Sequence, residues 1–280
     1  MMKQGDLIVG LSEIQKVYVF MFEKLISFLN AQKIVYFCLG GTALGSVRES
    51  GFIPWDDDID IGMTRKNYNH FLDVCDQLDH KYFTVEHFSN TKKVCHALIR
   101  IHFNGLFVLN SVTSKCFNNN FYIDIFPLDY APNEPKLQNR QAKLLKRYKT
   151  ILYFKTHINN SSFLKRVLLS LVKMALLPLT LKHVVKKIDR IAIKYSNGDK
   201  KFLCSMMSQY SYQKQLMPTD TYGDGVFGNF EGLEVVLPSK TIFYLKKLFG
   251  ANFMVRRQRP NQSMDQKAGI SKTLFEEILN

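Results

Sequence analysis

Between positions 55 and 61 the chain reads Trp-Asp-Asp-Asp-Ile-Asp-Ile, four carboxylates in five positions with apolar residues on both sides. A strand alternates its side chains, so Asp58 and Asp60 project to one face and Ile59 and Ile61 to the other. Asp56 and Asp57 then fall in the turn before the strand. Carboxylates held together at the edge of an apolar run repel one another unless a cation lies among them, and hard oxygen ligands suit Mg²⁺ or Mn²⁺. An acidic surface turn is the competing reading. Pro54-Trp55 before the run and the two isoleucines inside it place the charge near a core edge and favour the metal.

Two other stretches converge on the same chemistry. Cys38-Leu39-Gly40-Gly41-Thr42 reads as a strand entering two glycines and then a helix, where bare backbone and the N–H groups of a first helical turn approach an anion. Arg48, one to two turns further on, would add a cation near a phosphate; the alternative is a surface arginine. Phe121 to Asp129 holds one acid, Asp124, inside an apolar strand. A lone buried carboxylate needs a partner, and a metal already bound by Asp58 and Asp60 would supply it; a hydrogen-bonded core aspartate is the alternative. Asp129 falls in the following turn. No G-x-x-x-x-G-K-[ST] or G-x-G-x-x-G run is present, so nucleotide loops of those two types are excluded. The seven histidines show no H-E-x-x-H spacing, and none is assigned a role.

Around these stretches the periodicity predicts a mixed α/β unit over the first 134 residues. Ile14, Val17, Tyr18, Met21, Leu25 and Leu29 form one face of a helix with a capping-box start at Ser12 and Gln15. Strands are expected at Ile34–Leu39, Asp58–Met63, Phe83–His87, Val94–His102, Leu106–Val112 and Phe121–Phe126. Short helices are expected at Thr42–Glu49, closed by Gly51, and from a Thr64 cap to about Gln77. Residues 135–201 read as long basic helices, and 202–280 as short elements that complete the first unit, with a strand at Glu234–Leu237 and a helix at Ser239–Phe249.

Charge is distributed unevenly. The chain carries 38 Lys and Arg against 24 acids, a net +14. Seventeen of those bases lie between Lys136 and Lys201, with two acids, Asp189 and Asp199. Such a segment is a set of solvated helix faces or a footprint for something anionic, a phospholipid, a lipid-linked phosphate or nucleic acid. Nucleic acid is disfavoured, because no aromatics interleave the bases on a strand platform. Phe163 to Lys187, with Lys173 and Pro178 breaking it, is too interrupted to span a bilayer but would suit an interfacial helix on an anionic inner leaflet. Five cysteines without a C-x-x-C pair argue against a disulfide scaffold or Cys-rich zinc site and for a reducing compartment. With no signal-like N-terminus, a cytoplasmic protein, peripheral on the membrane at most, is expected.

The run GGTALGSVRESGFIPWDDDIDIGMTRKNYNHF, with FYIDIFPLD and FEGLEVVLP…YLKKLFGANFM, resembles the LicD family, whose core is shared with fukutin-type transferases. The resemblance implies a nucleotidyltransferase-like α/β (α+β) fold with a mixed sheet and a helical, basic segment. It implies a Gly-Gly turn at Gly40-Gly41, with Thr42 beside it, and metal-binding acids Asp58, Asp60 and Asp124. Arg100, in an apolar strand, resembles a basic residue the family keeps there and would pair with phosphate or with one of the acids. The implied activity is transfer of a phospho-alcohol from a CDP-activated donor, CDP-choline in the first instance, to a glycan or glycolipid of the cell surface. Relatives often carry a His-containing motif near the C-terminus, where this chain has Arg256-Arg257-Gln258-Arg259-Pro260. A D-x-D glycosyltransferase would use the same carboxylates, but it opens on a nucleotide-binding strand and leaves Asp124 unexplained. A non-enzymatic protein that binds anionic polymers would use the basic segment alone.

Overall fold

A computed structural model describes residues 6–91, 94–108, 120–156, 174, 176–256 and 268–279. Strand β1 (Asp6–Val9) leads into α1 (Leu11–Ala31), which buries Ile14, Val17, Met21, Phe22, Leu25 and Leu29 as its spacing predicts. The helix is capped two residues before the box expected at Ser12 and Gln15. Gly10 is its N-cap residue, and the Glu13 carboxylate accepts from the Gly10 N–H at 3.1 Å, because Glu13 stands at the third helical position where that reach is short. Gln15 is spent elsewhere: its amide donates to the Asp56 carbonyl at 2.8 Å and ties α1 to the acidic turn.

The chain then forms β2 (Phe37–Cys38), α2 (Gly40–Glu49), β3 (Ile59–Thr64), α3 (Arg65–Val74), β4 (Phe83–Glu86), β5 (Ile99–Val108) and β6 (Asn120–Ala131). β2 is shorter than the apolar run 34–39 suggests, since only Phe37 and Cys38 meet a partner strand. α2 begins at Gly40 rather than Thr42 and ends at Ser50, whose φ of 58° makes the left-handed turn expected of Gly51. Thr64 does precede α3, although its hydroxyl accepts from the Asn67 amide instead of a backbone N–H. The two strands expected at 94–102 and 106–112 are one, β5, with a register shift between His102 and Phe107. That irregularity lets β5 pair β4 with its first half and a late strand with its second. β6 runs on past Phe126, so Asp129 lies in a strand opposite Cys204 and not in a turn.

The basic segment supplies α4 (Pro135–Thr156) and α5 (Leu181–Ala192). The C-terminal part supplies β7 (Phe202–Cys204), the short α6 (Tyr212–Gln215), β8 (Leu216–Pro218), the hairpin β9 (Val226–Phe230) and β10 (Leu233–Leu237), α7 (Thr241–Phe249), β11 (Ala268–Ser271) and α8 (Lys272–Leu279). The main sheet runs β1-β11-β5-β6-β3-β2, with β4 beside β5 and β7-β8 continuing from β6. Among the described residues β3 and β6 are its one parallel pair. The fold is thus the mixed α/β sheet expected. A larger core lies between α1 and the sheet, and a second joins α4 and α5 to Ala131, Cys204 and Leu216.

Leu181 to Lys187 behaves as an ordinary core helix with a basic outer face. Val184, Val185, Ile188 and Ile191 are buried while the Lys186–Lys187 pair lies outward, so the apolar face of α5 is covered by protein, whereas Met174 and Leu177 ahead of it are exposed. Lys165, Arg166 and Lys173 lie outside the described residues, as do Arg257 to Met264. Among the described residues no helix is long and apolar enough to cross a membrane. Cys95 is disulfide-bonded, while Cys38, Cys75 and Cys204 are free; spacing alone, with no C-x-x-C pair, gave no sign of that bridge.

Candidate active site

The parallel ladder sets Asp60 opposite Asp124, and the antiparallel ladders set Arg100 opposite Asp124 and Glu86 opposite Arg100. Side chains of directly paired residues share a face, so Asp60, Asp124, Arg100 and Glu86 form one row across four strands. Asp58, two residues before Asp60, belongs to the same face. All of these but the buried Glu86 open into a cleft of about 420 Å³ whose lining includes Asp58, Asp60, Arg100, Asp124, His96 and Lys149.

Local bonds fix each member. The Asp60 N–H donates to the Thr42 hydroxyl at 2.9 Å, and the Asp60 carbonyl accepts from the Leu39 N–H at 2.9 Å. The first turn of α2 is thereby held against β3. Gly40 has a φ of +50°, its N–H donates to the Tyr244 hydroxyl at 3.0 Å, and Asp60 Oδ2 lies 3.4 Å from where a Cβ would stand. At Gly41 a Cβ would come within 2.4 Å of Asp56 Oδ2. The Gly-Gly turn thus admits two carboxylates of this chain to the helix start, a demand of the protein itself in addition to any ligand.

Electrostatics follow from that crowding. Asp58 opens to the cleft and stays hydrated on one side; the walls around it and then Asp56, Asp57 and Asp124 push its carboxyl up to about 7. Asp60 is raised well above the carboxylate range, first by lost hydration, then by Asp58, Asp124 and Asp56, with Arg100 opposing. Asp56 is pushed up to about 6 by lost hydration and Asp57, against the pull of Arg48. Arg100 donates from Nε to Asp124 Oδ1 at 2.9 Å and stacks 4.0 Å above the Tyr122 ring. The single acid of the apolar strand therefore has a protein partner, one of the two alternatives for Arg100. Arg48 does not line the cleft. It donates to Glu49 at 2.8 Å and to the Phe253 carbonyl at 3.2 Å, and Arg256 also pairs with Glu49.

Among the described residues no three His, Cys, Asp or Glu side chains stand together in a ready-made metal cage. The donor set fits a hard divalent cation by its chemistry all the same. Asp58 and Asp60 are adjacent oxygen donors, and lost hydration followed by the neighbouring carboxylates raises the proton affinity of each, a repulsion that a bound cation would relieve.

Sequence reasoning missed three members of the site. Glu86 is buried between His102 at 2.8 Å and His96 at 2.9 Å; these bonds outweigh its burial and hold its carboxyl down at about 2. An alternation of His96, Arg100 and His102 around one strand was the available signal. Lys149 comes from α4, its Nζ donating to the Ser208 carbonyl at 2.9 Å, and burial lowers its pKa to about 8. Tyr210 closes the far wall. Nothing local marks Lys149 among the many lysines of its helix. Asp129, by contrast, is structural: fully buried, it takes both arms of Arg65 at 2.7 Å, and Arg65 also reaches Asp189 at 3.0 Å.

Residues 33–182 match the family described as LicD/FKTN/FKRP, nucleotidyltransferase domain. The lipopolysaccharide cholinephosphotransferase LicD of Haemophilus influenzae is 30% identical over 229 residues, covering 78% of this chain and 82% of that protein. An uncharacterised protein of Rickettsia prowazekii is 28% identical over 123 residues, 38% of this chain and 46% of its own length. The chain belongs to the LicD family.

Proposed function

We propose that this member of the LicD family transfers phosphocholine from CDP-choline to a hydroxyl of a lipopolysaccharide saccharide, releasing CMP. The observation that carries this reading is the register of Asp60 against Asp124, with Asp58 on the same face, inside a cleft and inside the family-matched segment. Lipopolysaccharide and choline come from the Haemophilus relative, which covers most of both chains. CDP as the activating group comes from the family resemblance.

Asp58 and Asp60 would hold Mg²⁺ or Mn²⁺, with Asp124 joining if it leaves Arg100, and the ion would offset the donor's phosphate charge. The residues of the chain itself do the rest. The acceptor oxygen forms a bond to the phosphorus that carries choline, the bond from that phosphorus to the CMP oxygen breaks, and the acceptor's proton passes to a carboxylate of the Asp58–Asp60 pair. A metal on the pair would lower the pKa of the acceptor hydroxyl and so ease that transfer. Arg100 faces the same cleft and would meet the donor's phosphates, and the start of α2 presents backbone N–H groups to them.

Contact with an anionic leaflet remains compatible with the outer faces of α4 and α5 and would bring the cleft to a lipid-linked acceptor. The test is to incubate the protein with Mg²⁺, delipidated lipopolysaccharide and either CDP-choline or UDP-sugars. CMP release with choline incorporation supports the proposal; UDP release alone supports the glycosyltransferase rival.

A further inference from the structure

A second cavity, about 740 Å³, runs along α4 beside the acid cleft and shares Lys149, Ser208, Gln209 and Tyr210 with it. We infer that this cavity is the acceptor subsite and that it takes a saccharide bearing negative charge. The inference rests on the proposed transfer and names the acceptor class that the cleft alone leaves open.

Charge is the first support. Lys143, Lys146 and Lys149 line the cavity, and no acid lines it among the described residues. α4 as a whole carries seven Lys or Arg and no acid between Pro135 and Thr156. Lys143 and Lys146 are three residues apart, hence on one face of the helix, and both are exposed. The remaining wall is mainly apolar, with Ala142, Leu145, Tyr153 and Met206, and carries its polar groups at the exposed rim. Tyr210 and Tyr212 offer aromatic surface, while Asn139, Thr150, Gln209 and Gln213 offer amides and a hydroxyl. Sugar rings can lie on such apolar and aromatic surface while their hydroxyls meet the rim amides, and the unopposed lysines favour an anionic guest over a neutral one.

Lys149 stands where the two cavities meet, fixed by its bond to the Ser208 carbonyl. A saccharide lying along α4 with its anionic groups on Lys143 and Lys146 would direct a hydroxyl past Lys149 toward Asp58 and Asp60. Burial lowers the Lys149 pKa to about 8, so near neutral pH it still carries a charge that would hold an anion arriving there. The arrangement separates the anchoring of the acceptor from the chemistry of the donor.

The test measures binding by calorimetry on the full chain with no donor present, using delipidated lipopolysaccharide core oligosaccharide. The wild type binds it and salt weakens the complex, while neutral maltoheptaose binds far less. Lys143→Gln with Lys146→Gln lowers the affinity about tenfold per lost charge-assisted contact, with an unchanged melting temperature. The corresponding pair of Lys→Arg changes retains most of it. Removing phosphates from the oligosaccharide with aqueous hydrofluoric acid tells the sources apart: lost binding assigns the charge to phosphate, and retained, salt-sensitive binding assigns it to carboxylate. Unaltered affinity in the folded Gln variant overturns the inference, as does equal binding of maltoheptaose. The same holds if the two lysines govern only attachment to vesicles of anionic lipid. Because no donor is used, CMP release in the wild type with unaltered saccharide binding in the variant removes this subsite alone. Absent CMP release with variant-sensitive binding removes only the proposed transfer.

Discussion

Asp60 and Asp124 face each other across the parallel ladder of β3 and β6, and Arg100 pairs Asp124 from the other side. With Arg100 so paired, Asp58 and Asp60 stand against each other with no ion pair of their own among the described residues.

Asp60→Asn and Asp58→Asn keep the side-chain shape and remove one of the opposing charges. Each variant is expected to fold, to melt at or above the wild-type temperature in EDTA, and to lose transfer by roughly two to four orders of magnitude. Mg²⁺ is expected to raise the wild-type melting temperature by on the order of 5 °C at saturating concentration and to leave the variants nearly unmoved. Thermal melts with and without Mg²⁺ check this; an equal Mg²⁺ response in wild type and variants would count against the two residues as ligands.

Gly41→Ala tests the packing of the acidic turn. A Cβ at 2.4 Å from Asp56 Oδ2 must displace that carboxylate, at a cost of about 1–3 kcal/mol. In the background of Asp56→Ala the same change should cost much less, because the group it strikes is gone. A double-mutant cycle by urea unfolding measures the difference. Additive costs would show that Gly41 is required for some other reason.

Arg65 joins three elements through Asp129 on β6 and Asp189 on α5. Arg65→Met would leave two buried carboxylates without a partner and is expected to destabilise the fold by about 3–5 kcal/mol. Arg65→Lys keeps a charge but loses the two-armed grip on Asp129, so an intermediate loss is expected. Denaturant midpoints for the two variants give the order directly.

His87 supplies a pH dependence remote from the acids. Burial, then Arg65 and His96, lowers its pKa from 6.5 to about 4. In the folded protein His87 stays neutral where the unfolded chain already binds a proton. Its contribution to stability is therefore complete above pH 6.5 and is lost as the pH falls toward 4, amounting to up to about 3 kcal/mol. His87→Gln should flatten the stability profile in that window. Glu86, held down at about 2, acts lower, its contribution present above about 4.5 and lost as the pH falls toward 2, so the two are separable by titration.

The acidic row was legible because its signal is local: a D-x-D in an alternating strand and one acid in an apolar strand identify themselves by the cost of burying charge. The register that joins them was not, since β3 and β6 are separated by a helix and two further strands, and pairing at that distance leaves no mark on either segment. Boundaries failed for the same kind of reason. Gly10 and Glu13 cap α1 because the chain turns there, and β5 runs through its irregularity because two partners, β4 and β11, divide it between them. Lys149 was invisible among like residues, and it gained significance only when α4 folded against the 205–213 segment.

In the proposed phosphocholine transfer the Asp58–Asp60 pair is indispensable. Mass spectrometry of delipidated lipopolysaccharide after incubation with CDP-choline and Mg²⁺ tests it most directly, with wild type and Asp60→Asn side by side. The account predicts a saccharide heavier by one phosphocholine and an equal amount of CMP with the wild type, and neither with Asp60→Asn. A product of unchanged mass with the wild type, or full modification by Asp60→Asn, would contradict it.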